Sequence, residues 1–139
     1  MYQQITIIGN LGRDPVSKQS KNGKTYAQVS VGTSRSLGKD QGKETTWFNV
    51  TAWEKAGQYL CNYGMKGTLV MITGRLQPDP TGCPRIWTDN SGNPRATFEV
   101  IASEVKILNG GKTIDQRTAT PQYQTQQPQA QQDSYEQYY

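Results

Sequence analysis

Histidine is absent from the 139 residues. With it goes the side chain that titrates near neutral pH, the commonest general base and a frequent metal ligand. No Ser–His or Cys–His arrangement can be built. Cysteine is scarce. Cys61 and Cys83 have neither metal-type spacing nor histidine partners. Without a secretory signal, free thiols in a reducing compartment are the expectation. No apolar run approaches the roughly 18–20 residues of a membrane helix, and Met1-Tyr2-Gln3-Gln4 leads straight into a strand with nothing like a transit peptide. Paired carboxylates at a motif spacing are missing as well. Gly38-Lys39 raises a phosphate-binding loop, but Gly32 lies six residues before Gly38, one too many for GxxxxGK, and Asp40 follows the lysine. Enzyme chemistry, a metal and a cofactor are therefore not expected.

What is present centres on residues 46–53, Thr-Trp-Phe-Asn-Val-Thr-Ala-Trp. β-Branched and aromatic residues in alternation read as a strand. Side chains alternate faces along it. Phe48, Val50 and Ala52 form an apolar face; Trp47, Asn49, Thr51 and Trp53 form the other. Two indoles on a polar face point to a flat, amphipathic ligand such as a nucleobase, which offers a π-face for stacking. Cover by a second sheet or a subunit explains the same pattern. Charge agrees with a polyanionic partner without requiring one. Lys+Arg is 15 against Asp+Glu 11, a net of +4 and a pI near 9.1. All 15 basic residues fall in residues 1–117 against nine acids, a net of +6 there. Several crowd the segment 13–43, which reads otherwise as solvated loops.

In chain order, residues 4–8 are a first strand, broken by Gly9-Asn10-Leu11-Gly12-Arg13-Asp14-Pro15. Lys21-Asn22-Gly23-Lys24 signals a tight hairpin, with Asn-Gly able to take positive φ. Residues 25–33 form a second strand with Ala27, Val29 and Val31 inward and Tyr26, Gln28 and Ser30 outward. Residues 34–44 read as a flexible basic finger. After the Trp-bearing strand, a short helix over 54–63 carries Ala56, Tyr59, Leu60 and Tyr63 on one stripe, with Cys61 off it, and Gly64 and Gly67 end it. Residues 68–76 are a fourth strand, with Val70, Ile72, Gly74 and Leu76 on one face. Three prolines make 77–84 an irregular excursion. Arg85-Ile86-Trp87-Thr88 is extended, Asp89-Asn90-Ser91-Gly92-Asn93 turns, and 95–108 is a long last strand. Trp87, beside Arg85 and near a turn, is assigned an exposed binding role. Residues beyond Gln116 are rich in Gln, Pro, Thr and Tyr, with no Leu, Val, Phe or Trp. Such a tail cannot offset its ordering entropy and is expected to be disordered. The chain divides into a domain over 1–109 and a Gln/Pro/Tyr-rich tail over 110–139.

Strand, strand, strand, helix, strand, strand is the order of the OB-fold. The fold class expected is all-β with one short helix, a five-stranded Greek-key barrel, followed by the disordered tail. Order alone does not give function. The motifs add more. Ile8-Gly9-Asn10-Leu11-Gly12-Arg13-Asp14-Pro15 resembles the opening signature of the bacterial single-stranded DNA-binding proteins. Trp47-Phe48-Asn49-Val50 followed by Ala52-Trp53-Glu54-Lys55-Ala56 resembles their central motif. Gly67 to Gly74-Arg75-Leu76 is similar to the next strand, and Trp87-Thr88-Asp89 with Gly92 to the late hairpin. The likeness covers residues 4–108.

This resemblance implies a homotetramer of docked OB domains that wraps single-stranded DNA without sequence specificity. It also implies roles in replication, repair and recombination, and a cytoplasmic, nucleoid-associated location. It puts the stacking positions on Trp47, Trp53 and Trp87, and matches phosphate-neutralising lysines to Lys55 and Lys66. Arg13, Arg35, Arg75 and Arg85 complete the expected DNA-binding set. A tryptophan common in the loop after the second strand is missing; Ser34-Arg35-Ser36-Leu37 stands there, and Arg35 is the candidate to stack in its place. The 77–84 excursion reads as an insertion. The family's acidic Pro-Phe tip, which recruits replication and repair proteins, is replaced by Asp133-Ser134-Tyr135-Glu136-Gln137-Tyr138-Tyr139. A phage, plasmid or divergent member fits that ending. RNA binding and a protein-interaction scaffold using the Trp face are the alternative readings.

Overall fold

A computed structural model describes residues 1–112. The expected tail, from 113 onward, lies outside the described residues. The elements run β1 (Ile5–Leu11), β2 (Val16–Gln19), β3 (Thr25–Ser36), β4 (Lys43–Trp53), α1 (Glu54–Tyr63), β5 (Leu69–Leu76), β6 (Arg85–Thr88) and β7 (Pro94–Asn109). The sheet follows the order β1-β5-β7-β4-β3, and β3 returns to β1. This closes a five-stranded OB-fold barrel, as the element order implied. Among the described residues its only parallel ladder joins β4 to β7; β2 extends β3, and β6 extends β7.

Period-two patterning makes the core. Val29, Val31, Val50, Ala52, Val70 and Ile72 are fully or almost fully buried, joined by Val100 and by Leu60 from α1. Each such Val, Leu or Ile contributes about 1.5–3 kcal/mol on burial. The inward set along β7 changes phase: Val100 and Ala102 are buried, then Val105. A register shift opposite Thr73 and Gly74 produces it. The extra residue bends β7 so that one strand serves both sides of the barrel. Leu76, which shares a face with Val70, Ile72 and Gly74, is 42% exposed at the end of β5.

Several local expectations are corrected. The 34–44 finger is shorter than expected, because β3 and β4 pair over eleven residues, from Tyr26↔Trp53 to Ser36↔Lys43, and leave only residues 37–42 as the connecting loop. Ser34 and Thr45 share a hydroxyl hydrogen bond of 2.8 Å, and Arg35 bonds Glu44 at 2.7 Å. β2 was not expected; all four of its residues are exposed, so no hydrophobic alternation marks it. In the turn before β3, Gly23 alone takes positive φ, and Asn22 does not. Ser20 N–H meets Lys24 O and Gly23 N–H meets Ser20 O, the pattern of a type I turn closed by a left-handed glycine. Asp79–Cys83 and Asp89–Asn93 are closed by the same pair of bonds, with Gly82 and Gly92 left-handed.

The helix keeps Ala56 and Leu60 of the expected stripe on the core but adds Gly57 and Cys61 in place of Tyr59. Gly57 and Leu60 are buried, and Ala56 and Cys61 pack against the core. Tyr59 is exposed and leans on Tyr63, ring centroids 4.9 Å apart. Burial pushes the Cys61 thiol pKa up, partly offset by Lys112. Thr68 is fully buried; it donates to Gly110 O and accepts from Met65 N–H. Lys112 N–H reaches Tyr63 O at 2.7 Å. Residues 110–112 thus still belong to the barrel's hydrogen bonding, just past the expected boundary at 109.

Candidate nucleic-acid interface

Outward side chains of β3, β4, β6 and β7 meet on one face of the barrel. Trp47, Asn49, Thr51 and Trp53 project from β4, as their alternation predicted. Trp47 is 53% exposed and Trp53 37%. Among the described residues no second sheet covers them.

Glycines seat Trp47. Gly32 lies directly opposite it on β3. A Cβ on Gly12 would fall 2.5 Å from Trp47 Cζ3, and one on Gly32 would fall 2.9 Å from the same atom. The indole therefore lies on bare backbone and turns its other face to solvent. Trp53 is seated differently. It is paired across the ladder with Tyr26, and the rings sit 4.8 Å apart, tilted by 41°. Trp87 stands on the β6–β7 hairpin, where its indole N–H donates to Thr97 Oγ1 at 2.7 Å. That bond fixes the ring plane while leaving the side chain well exposed. The excursion over 77–84 and the Asp89 turn frame this hairpin. Three hydrogen bonds donated to Asp79 Oδ1 hold the former. Asn93 N–H, then Arg95, hold the Asp89 carboxyl below its ordinary pKa.

Two stretches of groove join across this face. The first, about 390 Å³, is lined by Trp47 and Trp87 together with Arg13 and Arg85. The second, about 270 Å³, runs past Trp53, Tyr26 and Gln28. Asn49, Arg85 and Glu99 line both. Arg85 Nη1 sits 3.3 Å from Glu99 Oε1. Lys18 on β2 bonds Gln28 at 2.6 Å and brings a cation to the Trp53 end.

Of the residues expected here, Trp47, Trp53, Trp87, Arg13 and Arg85 meet in the groove. The others do not line it. Arg35 is paired with Glu44 near the hairpin tip. Lys55 is exposed on the first turn of α1, and Lys66 lies beyond the helix, its backbone N–H bonded to Asp14. Arg75 lines a separate hollow with Tyr2 and Ser103, which shares Ile101 with the second stretch of the groove. Sequence reasoning missed Tyr26, Lys18, Asn49 and Glu99 as site residues. Tyr26 and Asn49 had been placed on the outward faces, so the alternation held that signal. Glu99 had none, since a lone acid in a long strand reads as solvated surface.

Comparison with known proteins follows this geometry. The sequence model of the single-strand binding protein family matches residues 2–108. A "Single-stranded DNA-binding protein" of Neisseria meningitidis serogroup A is 32% identical over 110 residues, covering 77% of this chain and 60% of that protein. A "Single-stranded DNA-binding protein 1" of Lactococcus lactis is 28% identical over 131 residues, covering 94% and 83%. One from Wolinella succinogenes is 27% identical over 135 residues, covering 88% and 80%. The match thus spans under two thirds of the Neisseria protein's length. The family match takes in the barrel from β1 to Leu108, one residue short of the end of β7, and with it every tryptophan of the groove: the chain belongs to the single-strand binding protein family.

Proposed function

We propose that this protein binds single-stranded DNA with little sequence specificity and protects it during replication, repair and recombination. The observation that carries this reading is the run of exposed aromatics along one groove, Trp47 and Trp87 at one end and Trp53 with Tyr26 at the other, with Arg13, Arg85 and Lys18 beside them. Bases stack on the indoles, at roughly 1–3 kcal/mol each. Cations neutralise phosphates and release counterions, so affinity falls with salt. Duplex DNA binds poorly, because its bases are already stacked. Arg35, Arg75, Lys55 and Lys66 lie outside the groove and act on strand that continues past it.

The barrel over 1–109 is the binding domain, and the tail over 110–139 is dispensable for DNA. The tail is the contact for replication and repair proteins. Four copies associate, a reading supported by Ile8, 55% exposed on β1. Acting on cellular DNA, the protein works in the cytoplasm, at the nucleoid.

Tryptophan fluorescence tests the reading. The full chain is titrated with oligothymidine of a few tens of nucleotides, at low and high salt, with a matched duplex and an RNA of equal length beside it. Strong quenching by the single strand and weak response to duplex are expected, with affinity lost in salt. Absence of quenching at low salt overturns the proposal and makes the Trp face a protein interface. Tighter binding of the RNA would change the substrate to RNA.

A further inference from the structure

The ladder along one edge of β7 is broken beside Phe98. Gln77 N–H donates to Glu99 O at the end of β5, and Arg85 of β6 pairs with Thr97. An unbroken antiparallel strand would set one residue between these two, opposite Phe98. Residues 78–84 stand there instead. The excursion borders a hollow of about 260 Å³, walled by Leu76, Pro78, Pro84 and Phe98. Thr97, Phe98 and Glu99 all line it. Consecutive side chains of a strand point to opposite faces, so the hollow lies across the edge of β7 and borders both faces. It shares Thr97 and Glu99 with the first stretch of the groove, and Gln77 and Glu99 with the second. It therefore adjoins the groove's waist, where the two stretches meet. Thr97 also holds the indole of Trp87, so a strand leaving Trp87 has one side chain to cross.

Phe98 is held as a stacking surface. It is 54% exposed. Phe48 backs it from the neighbouring strand, ring centroids 5.7 Å apart and tilted by 40°, much as Tyr26 backs Trp53. The lining then selects the guest. Among the described residues its one charged member is Glu99, which disfavours a phosphate. The volume lies below the roughly 300–1,000 Å³ of pockets for drug-sized ligands and suits a single flat ring system. Phe98 and the prolines take the faces of such a ring. Gln3 and Gln77 carry amides that both donate and accept, so its polar edge is met whichever base it is. We infer that Phe98 is a further stacking platform, and that the hollow beside the 77–84 excursion is a subsite for one nucleobase of the strand that runs past Trp87. This rests on the single-strand-binding reading above and adds to it a position that the excursion creates.

Two measurements on the full chain test it. Tryptophan quenching gives the affinity for oligothymidine of wild type, Phe98→Leu and Phe98→Tyr, with urea unfolding as the check that each variant folds. Leucine keeps apolar packing but has no π-face, and affinity is expected to fall about fivefold or more, the low end for one stacked base. Tyrosine keeps the ring and is expected to stay within about twofold of wild type. Photo-cross-linking of wild type to an oligomer carrying 5-iodouracil in place of thymine, mapped by mass spectrometry, reads the contact directly and serves alone if Phe98→Leu does not fold. Adducts are expected at Phe98 beside those at the groove tryptophans. Equal losses in the leucine and tyrosine variants would make Phe98 a packing residue for Phe48 and overturn the inference. A Phe98→Leu affinity within about twofold of wild type, or adducts at the tryptophans with none at Phe98, overturns it too and leaves single-strand binding intact. Failure of wild type to bind oligothymidine overturns both.

Discussion

The seat of Trp47 gives a quantitative prediction. In Gly12→Ala the new methyl falls 2.5 Å from Trp47 Cζ3, 3.0 Å from Cη2 and 2.8 Å from Ser30 Oγ, where ordinary contact begins near 3.4 Å. The hydroxyl can rotate away, but the indole has to retreat by about 1 Å. Trp47 is half exposed, so it swings toward solvent instead of breaking the barrel. Holding a side chain off its rotamer costs about 0.5–1.5 kcal/mol. Stability should fall by about 1 kcal/mol, or about 4–8 °C in Tm for a domain of this size. Affinity for oligothymidine should fall about fivefold, less than Trp47→Ala loses, because the ring is displaced and not removed. The double variant separates the cause. Gly12 does not need positive φ, so alanine there is backbone-compatible and by itself slightly favourable through the unfolded state. In a Trp47→Ala background, Gly12→Ala should therefore be neutral or stabilising in urea unfolding. A coupling of about 1 kcal/mol between the two sites is expected. An equal cost of Gly12→Ala with and without the indole would refute the idea that this glycine exists to seat Trp47.

Other consequences follow from single contacts. Gly74→Ala puts Cβ 2.1 Å from Ile101 O and 3.0 Å from Ala102 Cα, all backbone at the β7 register shift; urea unfolding should show a loss of about 3 kcal/mol or more, and a loss under about 1 kcal/mol would mean the strands can part there cheaply. Glu54 has φ +50, the only non-glycine positive φ among the described residues, and its 3.7 Å contact with Lys24 is solvent-exposed. Glu54→Gly should thus stabilise by about 1 kcal/mol, read as a higher Tm; a lower Tm would show that Glu54 is not strained. Because hydrogen bonds from Asn93, Arg95 and Ser91 depress the folded pKa of Asp89, its support of the β6–β7 turn is complete at neutral pH and lost as pH falls below the ordinary carboxylate value of about 4. Hydrogen exchange at the Asn93 amide, corrected for intrinsic rates, should lose protection in that range, and unchanged protection would refute the link.

Local periodicity reached far in this chain. The alternation over 46–53 separated Val50 and Ala52 from Trp47 and Trp53, and the barrel buries the first pair while exposing the second. Alternation works because a strand's faces follow from backbone geometry alone, whatever the strand pairs with. It failed where no alternation exists. β2 is exposed throughout and is a strand only because β3 offers it an edge. On α1 the helical spacing placed Ala56 and Leu60 but missed that Gly57, not Tyr59, faces the core, since a close helix–sheet approach favours the smaller residue: a Cβ on Gly57 would meet Ala52 O at 2.4 Å.

Sequence by itself determined which residues belong to the OB barrel's inner and outer faces, where the tryptophans stand, and the family, through short motifs whose glycines and aromatics have fixed local roles. Tertiary structure alone decided which cations share a groove with those tryptophans. Arg13 and Arg85 are far apart in the chain yet line one hollow, while Arg35 is taken by Glu44 and Arg75 lies beyond Ile101. It also decided that Glu99 sits at the groove's waist. That depends on the parallel pairing of Asn49 with Glu99, a contact between residues fifty apart. Side-chain chemistry is local, but strand pairing across such separations is fixed by the packing of the whole barrel, and no short window of sequence contains it.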